Sequence, residues 1–133
     1  MDSAVFENSL MLYFEAFAEN DKSRRIVLLS RCMTEEGEIW GPQRLFRGYD
    51  AISEKIEGFH SRMPEARLVL ASGLNTFLNI ARFKVAIINR DGSTRSVGDN
   101  FIEMAECGRI LRVFPFWEAV PPLPSSWPRH LAL

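Results

Sequence analysis

The chain begins with helical periodicity and changes to strand-like alternation about halfway along. Near the N-terminus, apolar residues recur every three or four positions, which predicts an amphipathic helix from about residue 3 to 19. Its apolar stripe comprises Phe6, Leu10, Tyr13, Phe14 and Phe17. Asp2 or Ser3 can cap this helix, because a short polar side chain accepts hydrogen bonds from the first turn.

Two further helices are predicted before the midpoint. Asp21 can cap a short apolar helix from about Arg24 to Cys32. Gly37 to Trp40 is a short predicted strand, ended by Gly41-Pro42 because proline donates no hydrogen bond to a sheet. A third helix is expected from about Asp50 to Pro64. Its apolar positions are Ile52, Ile56, Phe59 and Met63.

Beyond Pro64 the pattern alternates, which favours strands. Two are predicted over 67–74 and 76–89, and two more over 97–118 around a turn at Gly108. Asp91-Gly92 marks a hairpin. Helices followed by a meander of four antiparallel strands predict an α+β domain, with the helices covering one face of a curved sheet. We expect one domain over residues 1–120 and an extended proline-rich tail over 121–133.

Composition excludes several classes of protein. The 16 basic and 17 acidic residues give a net charge of −1, and the basic residues are scattered, so no nucleic-acid partner is expected. Cys32 and Cys107 lie far apart without metal-ligand spacing, so we expect no disulfide, no metal and no cofactor. No basic leader precedes an apolar run and no run reaches membrane-spanning length, so we expect a cytoplasmic protein that does not enter a membrane.

The penultimate predicted strand contains Asp99, a carboxyl group whose role depends on which face of the sheet it lies on. Because successive side chains alternate, Asp99 shares a face with Val97 and Phe101, and Asn100 shares the other face with Ile102. If the Asp99 face points inward, a lone carboxyl lies in an apolar wall. Burial disfavours its charged form, so it could donate a proton near neutral pH. The alternative is a solvated Asp99 at the surface.

Four segments in this order resemble a known group of proteins. They are LYFEAFAEND in the first helix, FRGYDAI at the third helix, GDNFIEM, and GRILRVFPFWE. Together they resemble the SnoaL-like polyketide cyclases and the ketosteroid isomerase-like proteins of the nuclear transport factor 2-like superfamily, over roughly Leu10 to Glu118. The resemblance implies a cone, in which a strongly curved antiparallel sheet wraps around three helices and encloses an apolar pocket.

The resemblance also implies catalytic roles. Tyr13 and Asp99 match a tyrosine and an acid that stabilise an oxyanion in the ketosteroid isomerase-like pattern. The position expected to hold the general base is Trp40 or Gly41, so Glu38, two residues away on the same strand face, is the candidate base. His60 is a second candidate. The alternatives are that Tyr13 is an ordinary core residue, and that His60, one residue off the apolar stripe, lies at its boundary or on the surface.

The remaining predicted site residues are mostly aromatic and would line the pocket of the cone. They are Phe14, Phe17, Trp40, Phe59, His60, Asn79, Phe83, Phe101 and Trp117. The last strand is apolar on both faces, which favours a homodimer through the outer face of the sheet. The predicted function is binding of a small hydrophobic molecule; the alternative is an isomerase, cyclase or dehydratase acting on a hydrophobic carbonyl compound. A third hypothesis is a protein-interaction role for the outer face.

Overall fold

The computed structural model describes residues 1–133 and consists of three α-helices, seven strands and one 3-10 turn. The helices are α1 (Ser3–Ala18), α2 (Lys22–Cys32) and α3 (Tyr49–Arg62). The strands are β1 (Met33–Trp40), β2 (Leu45–Arg47), β3 (Arg67–Leu70), β4 (Asn75–Phe77), β5 (Ile80–Ile88), β6 (Thr94–Met104) and β7 (Ile110–Phe116). The predicted α+β class is confirmed. No helix combines the length and apolar character needed to cross a membrane.

Local signals in the sequence set the helix starts and the tight turns. The Asp2 carboxylate accepts a hydrogen bond from the Ala4 amide at 3.0 Å, and Asp21 caps α2 through the Arg24 amide at 3.2 Å. Gly92 and Gly108 adopt positive φ angles of 88° and 84° in the two predicted hairpins. These caps and turns confirm the predicted boundaries to within a few residues.

The strands form one curved sheet in the order β2-β1-β7-β6-β5-β3, with β4 also pairing with β5. All neighbours are antiparallel except β1 and β7, which are parallel. The predicted four-strand meander is therefore incomplete, because β1 begins at Met33 and joins the sheet beside the last strand. The predicted strand over 76–89 is two strands, β4 and β5, separated at Leu78, whose φ of 49° turns the chain without a glycine.

The helices pack on the inner face of the sheet and bury a continuous apolar core. α1 contributes Phe6, Leu10 and Tyr13, and β6 contributes Ile102 and Met104. Register shifts between β5 and β6 and between β6 and β7 place an extra residue in one strand of each pair. Such bulges bend a strand, and the bend produces the predicted cone. Pro115 lies outside these bulges and pairs regularly with Asn100.

One buried arginine joins the three helices. Arg25 is 1% exposed, and its guanidinium donates to the carbonyls of Glu19 at 3.0 Å and Asn20 at 3.2 Å, at the end of α1. It also donates to the Ser53 hydroxyl at 2.9 Å and the Glu57 carboxylate at 3.2 Å, on α3. A charge this deep is tolerated because its donors are paired.

We expect Arg25→Leu to lower the free energy of unfolding by about 1–3 kcal/mol, because the substitution removes the donors to the Glu19 and Asn20 carbonyls and to the buried Ser53 hydroxyl. The matched control is Arg24→Leu, since the Arg24 side chain is 77% exposed, and it should change stability by less than about 0.5 kcal/mol. Urea unfolding of both variants measures the difference. Equal stabilities would contradict the role given to Arg25.

Candidate functional site

A cavity of about 370 Å³ lies between α1, α3 and the inner face of the sheet. Ten of its sixteen lining residues are hydrophobic, so its walls are mainly apolar. The sixteen lining residues are Tyr13, Phe14, Phe17, Ile39, Lys55, Phe59, Arg62, Met63, Leu68, Val85, Ile87, Arg95, Ser96, Asn100, Pro115 and Trp117. Enclosed, largely apolar spaces of this size with a few polar groups are typical small-molecule sites.

Five of the predicted site residues meet at this cavity. The Tyr13 ring lies 5.0 Å from the Phe17 ring and 5.9 Å from the Phe14 ring, and Phe17 lies 6.0 Å from Phe59 on α3. Trp117 reaches the inner face because Gly98 has no side chain: a Cβ there would lie 2.6 Å from the Phe116 carbonyl and 2.8 Å from the Trp117 ring.

The Tyr13 hydroxyl is the first polar group of the cavity. Burial raises the pKa of this hydroxyl well above its usual value, and the nearby Cys32 thiol adds to the effect. The phenol therefore stays protonated at neutral pH and remains a hydrogen-bond donor. No side-chain or backbone group of the protein is hydrogen-bonded to it, so the donor is free for a ligand.

Asn100 is the second polar group, and the sequence analysis did not select it. It is 5% exposed, pairs with Phe83 on β5 and Pro115 on β7, and lines the cavity. Its side-chain nitrogen is buried and has no hydrogen-bond partner. Alternation along β6 was the available signal, because it already placed Asn100 on the face of Ile102, which is fully buried.

The prediction that Asp99 lies in the pocket is wrong. Asp99 points to the outer face of the sheet, where its carboxylate accepts a hydrogen bond from the Lys84 ammonium at 3.1 Å. Both side chains are about half exposed. The strand register places only one of two successive residues on the inner face, and here that residue is Asn100.

The prediction that Glu38 acts as a base in the pocket is also wrong. Its neighbour Ile39 lines the cavity, whereas Glu38 points outward and accepts hydrogen bonds from Arg47 at 2.8 Å and Arg112 at 3.1 Å. The Trp40 indole donates to it at 3.1 Å. The hydrogen bond from Arg47 is the main cause that lowers the pKa of the Glu38 carboxyl. Glu38 is therefore a structural carboxylate on the outer face of the sheet, away from the cavity.

Three other predicted lining residues also lie away from the cavity because of their strand face or packing. Trp40 stacks on Phe114 on the outer face, with ring centroids 5.3 Å apart, and Phe101 packs against Phe116 at 5.9 Å. Phe83 is buried in the hydrophobic core and does not line the cavity. Asp99 and Phe101 border a separate, more open groove of about 770 Å³ on the outer face.

The two polar residues among the predicted lining hold elements together. The Asn79 amide donates to the Met104 carbonyl at 3.0 Å and ties the start of β5 to the end of β6. His60 is hydrogen-bonded through Nε2 to the Phe17 carbonyl, and because a carbonyl only accepts, Nε2 carries the proton. That bond satisfies a carbonyl in the last turn of α1. Neither residue lines the cavity.

Lys55, Arg62 and Arg95 also line the cavity, and the sequence analysis missed them. Lys55 and Arg62 lie on the helix face of Phe59, at intervals of four and three residues, which was the available signal. No carboxylate is among the lining residues. No group of three or more His, Cys, Asp or Glu side chains is placed to hold a metal ion.

Comparisons with known proteins identify the fold. No family model and no curated protein sequence matches the chain. Among solved structures, a SnoaL-like family protein from Agrobacterium tumefaciens, described as a candidate isomerase, is 26% identical with a TM-score of 0.79, over 87% of this chain and 99% of its own.

Two more distant structures agree with this assignment. A candidate polyketide cyclase from Sinorhizobium meliloti is 16% identical with a TM-score of 0.66, over 86% of this chain and 99% of its own. A nuclear transport factor 2-like protein of unknown function from Exiguobacterium is 18% identical with a TM-score of 0.63, over 84% and 99% of the two chains. The chain therefore has the fold of the nuclear transport factor 2-like proteins. Among these proteins, the predicted resemblance to the SnoaL-like proteins is confirmed.

We expect Glu38→Gln to lower the free energy of unfolding by about 1–3 kcal/mol, because Arg47 and Arg112 lose the charge of the carboxylate they share. Since the folded-state pKa of Glu38 is lowered, its contribution is present above the usual glutamate pKa and is lost as the pH falls through the folded-state value. Urea unfolding at neutral and acidic pH measures both effects. Glu103→Gln, which removes a single ion pair to Arg112, is the control and should have a smaller effect. Equal effects would contradict the role of Glu38.

Proposed function

We propose that this protein binds a small hydrophobic molecule carrying a hydrogen-bond acceptor, in the cavity between α1, α3 and the sheet. Three features support this proposal: the volume of the cavity, its aromatic walls, and the two donors that Tyr13 and Asn100 supply. Tyr13, Phe14, Phe17, Phe59 and Trp117 would surround the apolar body of the ligand, and a carbonyl or ether oxygen would accept from the two donors.

The main observation in support of this proposal is the buried side-chain amide of Asn100, whose nitrogen has no hydrogen-bond partner. A buried donor without a partner lowers stability by about 1–3 kcal/mol relative to a paired one. An apolar residue of similar size would avoid this loss at a position between Phe83 and Pro115. Polar groups that weaken the fold in this way are typical of functional sites, where a ligand supplies the missing partner.

Turnover of a hydrophobic carbonyl compound by isomerisation, cyclisation or dehydration is the second candidate. The likeness to the Agrobacterium candidate isomerase favours it, and donors from Tyr13 and Asn100 would stabilise an enolate oxygen. However, Asp99 and Glu38 lie on the outer face, so the lining residues supply no carboxylate base. Binding without turnover is therefore the function that the geometry supports best.

We expect Asn100→Leu to weaken binding of 2-acetylnaphthalene, an uncharged aromatic ketone, by about tenfold, because the variant loses a donor to the ketone oxygen. The unliganded variant should be at least as stable as the wild type, because a buried unpaired donor is removed. Calorimetric titration measures the first effect and thermal unfolding the second.

The matched control is Asn75→Leu, the same substitution at an exposed position of β4, and it should leave binding unchanged. Tyr13→Phe tests the other donor with a ring of nearly the same shape. Equal affinities of wild type and both cavity variants would contradict the proposed donors, and failure of the wild type to bind the ketone would contradict the proposed site.

The outer face of the sheet supports assembly with a second copy of the chain. Trp40, Val97 and Phe116 are 46–58% exposed there, and exposed apolar patches mark contact surfaces. The charges beside them occur in pairs, Lys84 with Asp99 and Arg112 with Glu103, so the face is close to neutral. A neutral apolar surface can pair with its own copy about a two-fold axis without repulsion between like charges.

We expect Phe116→Arg to shift the protein from dimer to monomer in sedimentation velocity, because the substitution would place a charge in an apolar interface. The control is Val27→Arg on α2, a residue equally exposed at 58% but remote from the sheet face. A wild type that sediments as a monomer, or a Phe116 variant that remains dimeric, would contradict this interface.

A further inference from the structure

From the residues at its mouth, we infer that the cavity is built for an organic anion, with an apolar body in the aromatic part and a carboxylate held by Lys55, Arg62 and Arg95. This inference rests on the proposed function and specifies the chemical class of its ligand. It concerns the cations of the cavity lining, whereas the proposed function concerns the uncharged donors Tyr13 and Asn100.

Arg95 lies at an irregularity in the pairing of β5 with β6. Ile87 pairs with Ser96 and the next residue, Ile88, pairs with Thr94, so Arg95 is the extra residue of a β-bulge. Regular alternation would place Arg95 on the outer face with Val97 and Asp99. The bulge changes this direction, and Arg95 lines the cavity instead. Bulges beside binding sites commonly redirect a side chain in this way.

One face of α3 supplies the other two cations. Lys55 and Arg62 flank Phe59, so one helix face carries an aromatic ring and two cations into the lining of the same cavity. Arg62 and Arg95 are exposed, whereas Lys55 is partly buried. Both arginines also border a shallower recess of about 500 Å³ next to the cavity, which marks this end as its mouth.

The three cations of the cavity lining differ from the cations of the outer face in their ion pairing. None of Lys55, Arg62 and Arg95 has an ion-pair partner, whereas Arg47, Lys84 and Arg112 on the outer face are all paired. Two acids lie near the mouth but outside the cavity lining, and one of them, Asp91, borders the recess as a charged carboxylate. Asp91 accepts from the Ser93 amide at 2.9 Å and from its hydroxyl, and Glu65 pairs with Arg90 at 2.7 Å.

The surroundings of Lys55 agree with an uncompensated positive site. Burial lowers the pKa of the Lys55 ammonium, and the neighbouring charges of Arg62 and Arg44 lower it further. Lys55 and Arg44 both lie over the Phe46 ring, 4.8 Å and 4.4 Å from its centroid. An aromatic face relieves this repulsion only in part, and a bound carboxylate would relieve it directly.

The test compares two probes that differ by one carboxylate, 2-acetylnaphthalene and 6-acetyl-2-naphthoate, by calorimetric titration of the wild-type protein. We expect the naphthoate to bind at least about tenfold more tightly, because a charge-assisted hydrogen bond strengthens binding by this amount or more. The preference should decrease as the salt concentration rises, since the cations are partly exposed.

Substitutions of single cations test which side chains cause the preference for the naphthoate. Arg95→Gln and Lys55→Gln should each reduce the ratio of naphthoate affinity to ketone affinity severalfold, and thermal unfolding of each variant checks that it folds. Arg82→Gln, an exposed arginine on the outer face of β5, removes the same charge and should leave the preference intact. This control separates contact at the mouth from the effect of net charge.

Each outcome decides a different point. Equal affinities of the wild type for the two probes, or a preference that survives in both the Arg95 and the Lys55 variants, would overturn the inference and leave the proposed binding function standing. Failure of the wild type to bind either probe would overturn the proposed function and this inference together. A preference lost equally in the Arg82 variant would assign the effect to net charge and would also overturn the inference.

Discussion

The register of β6 between β5 and β7 is the constraint on which the rest of the site depends. Antiparallel ladders on both sides hold the strand, with Asn100 opposite Phe83 and Pro115 and with Asp99 opposite Lys84. A slip of one residue would place Asp99 among aromatic rings and would expose Ile102, which is fully buried. The apolar inner face therefore sets the register, and the register supplies the cavity with an uncharged amide.

This arrangement separates the charges of the molecule. The carboxylates Glu38, Asp99 and Glu103 lie on the outer face, each paired with a lysine or arginine. The cations around the cavity have no such partners, because the bulge at Arg95 and the inward face of α3 carry them to the side without acids. Bends in this sheet therefore have two effects: they curve it around the helices, and they redirect one side chain towards the proposed site.

Buried polar groups of this fold differ in whether they have hydrogen-bond partners. Arg25 and Glu38 are buried with several partners each, and they join helices to one another or strands to one another. In contrast, the side-chain nitrogen of Asn100, a residue of the cavity lining, is buried without a partner, and so is the Thr34 hydroxyl. The unpaired Asn100 amide lowers the stability of the unliganded fold, and in the proposed site a ligand would supply its partner.

The sequence by itself determined the elements that depend on near neighbours. Asp2 and Asp21 cap helices, Gly92 and Gly108 turn hairpins, and the spacing of Tyr13, Phe14 and Phe17 places them on one side of α1, because each effect acts over a few residues. Tertiary structure alone decided which face of β6 is inner, that Glu38 meets Arg112 from a strand 74 residues away, and that Arg95 occupies a bulge. These outcomes depend on the pairing between strands, and alternation within a single strand fits either face equally well until its partners and the helices cover one of them.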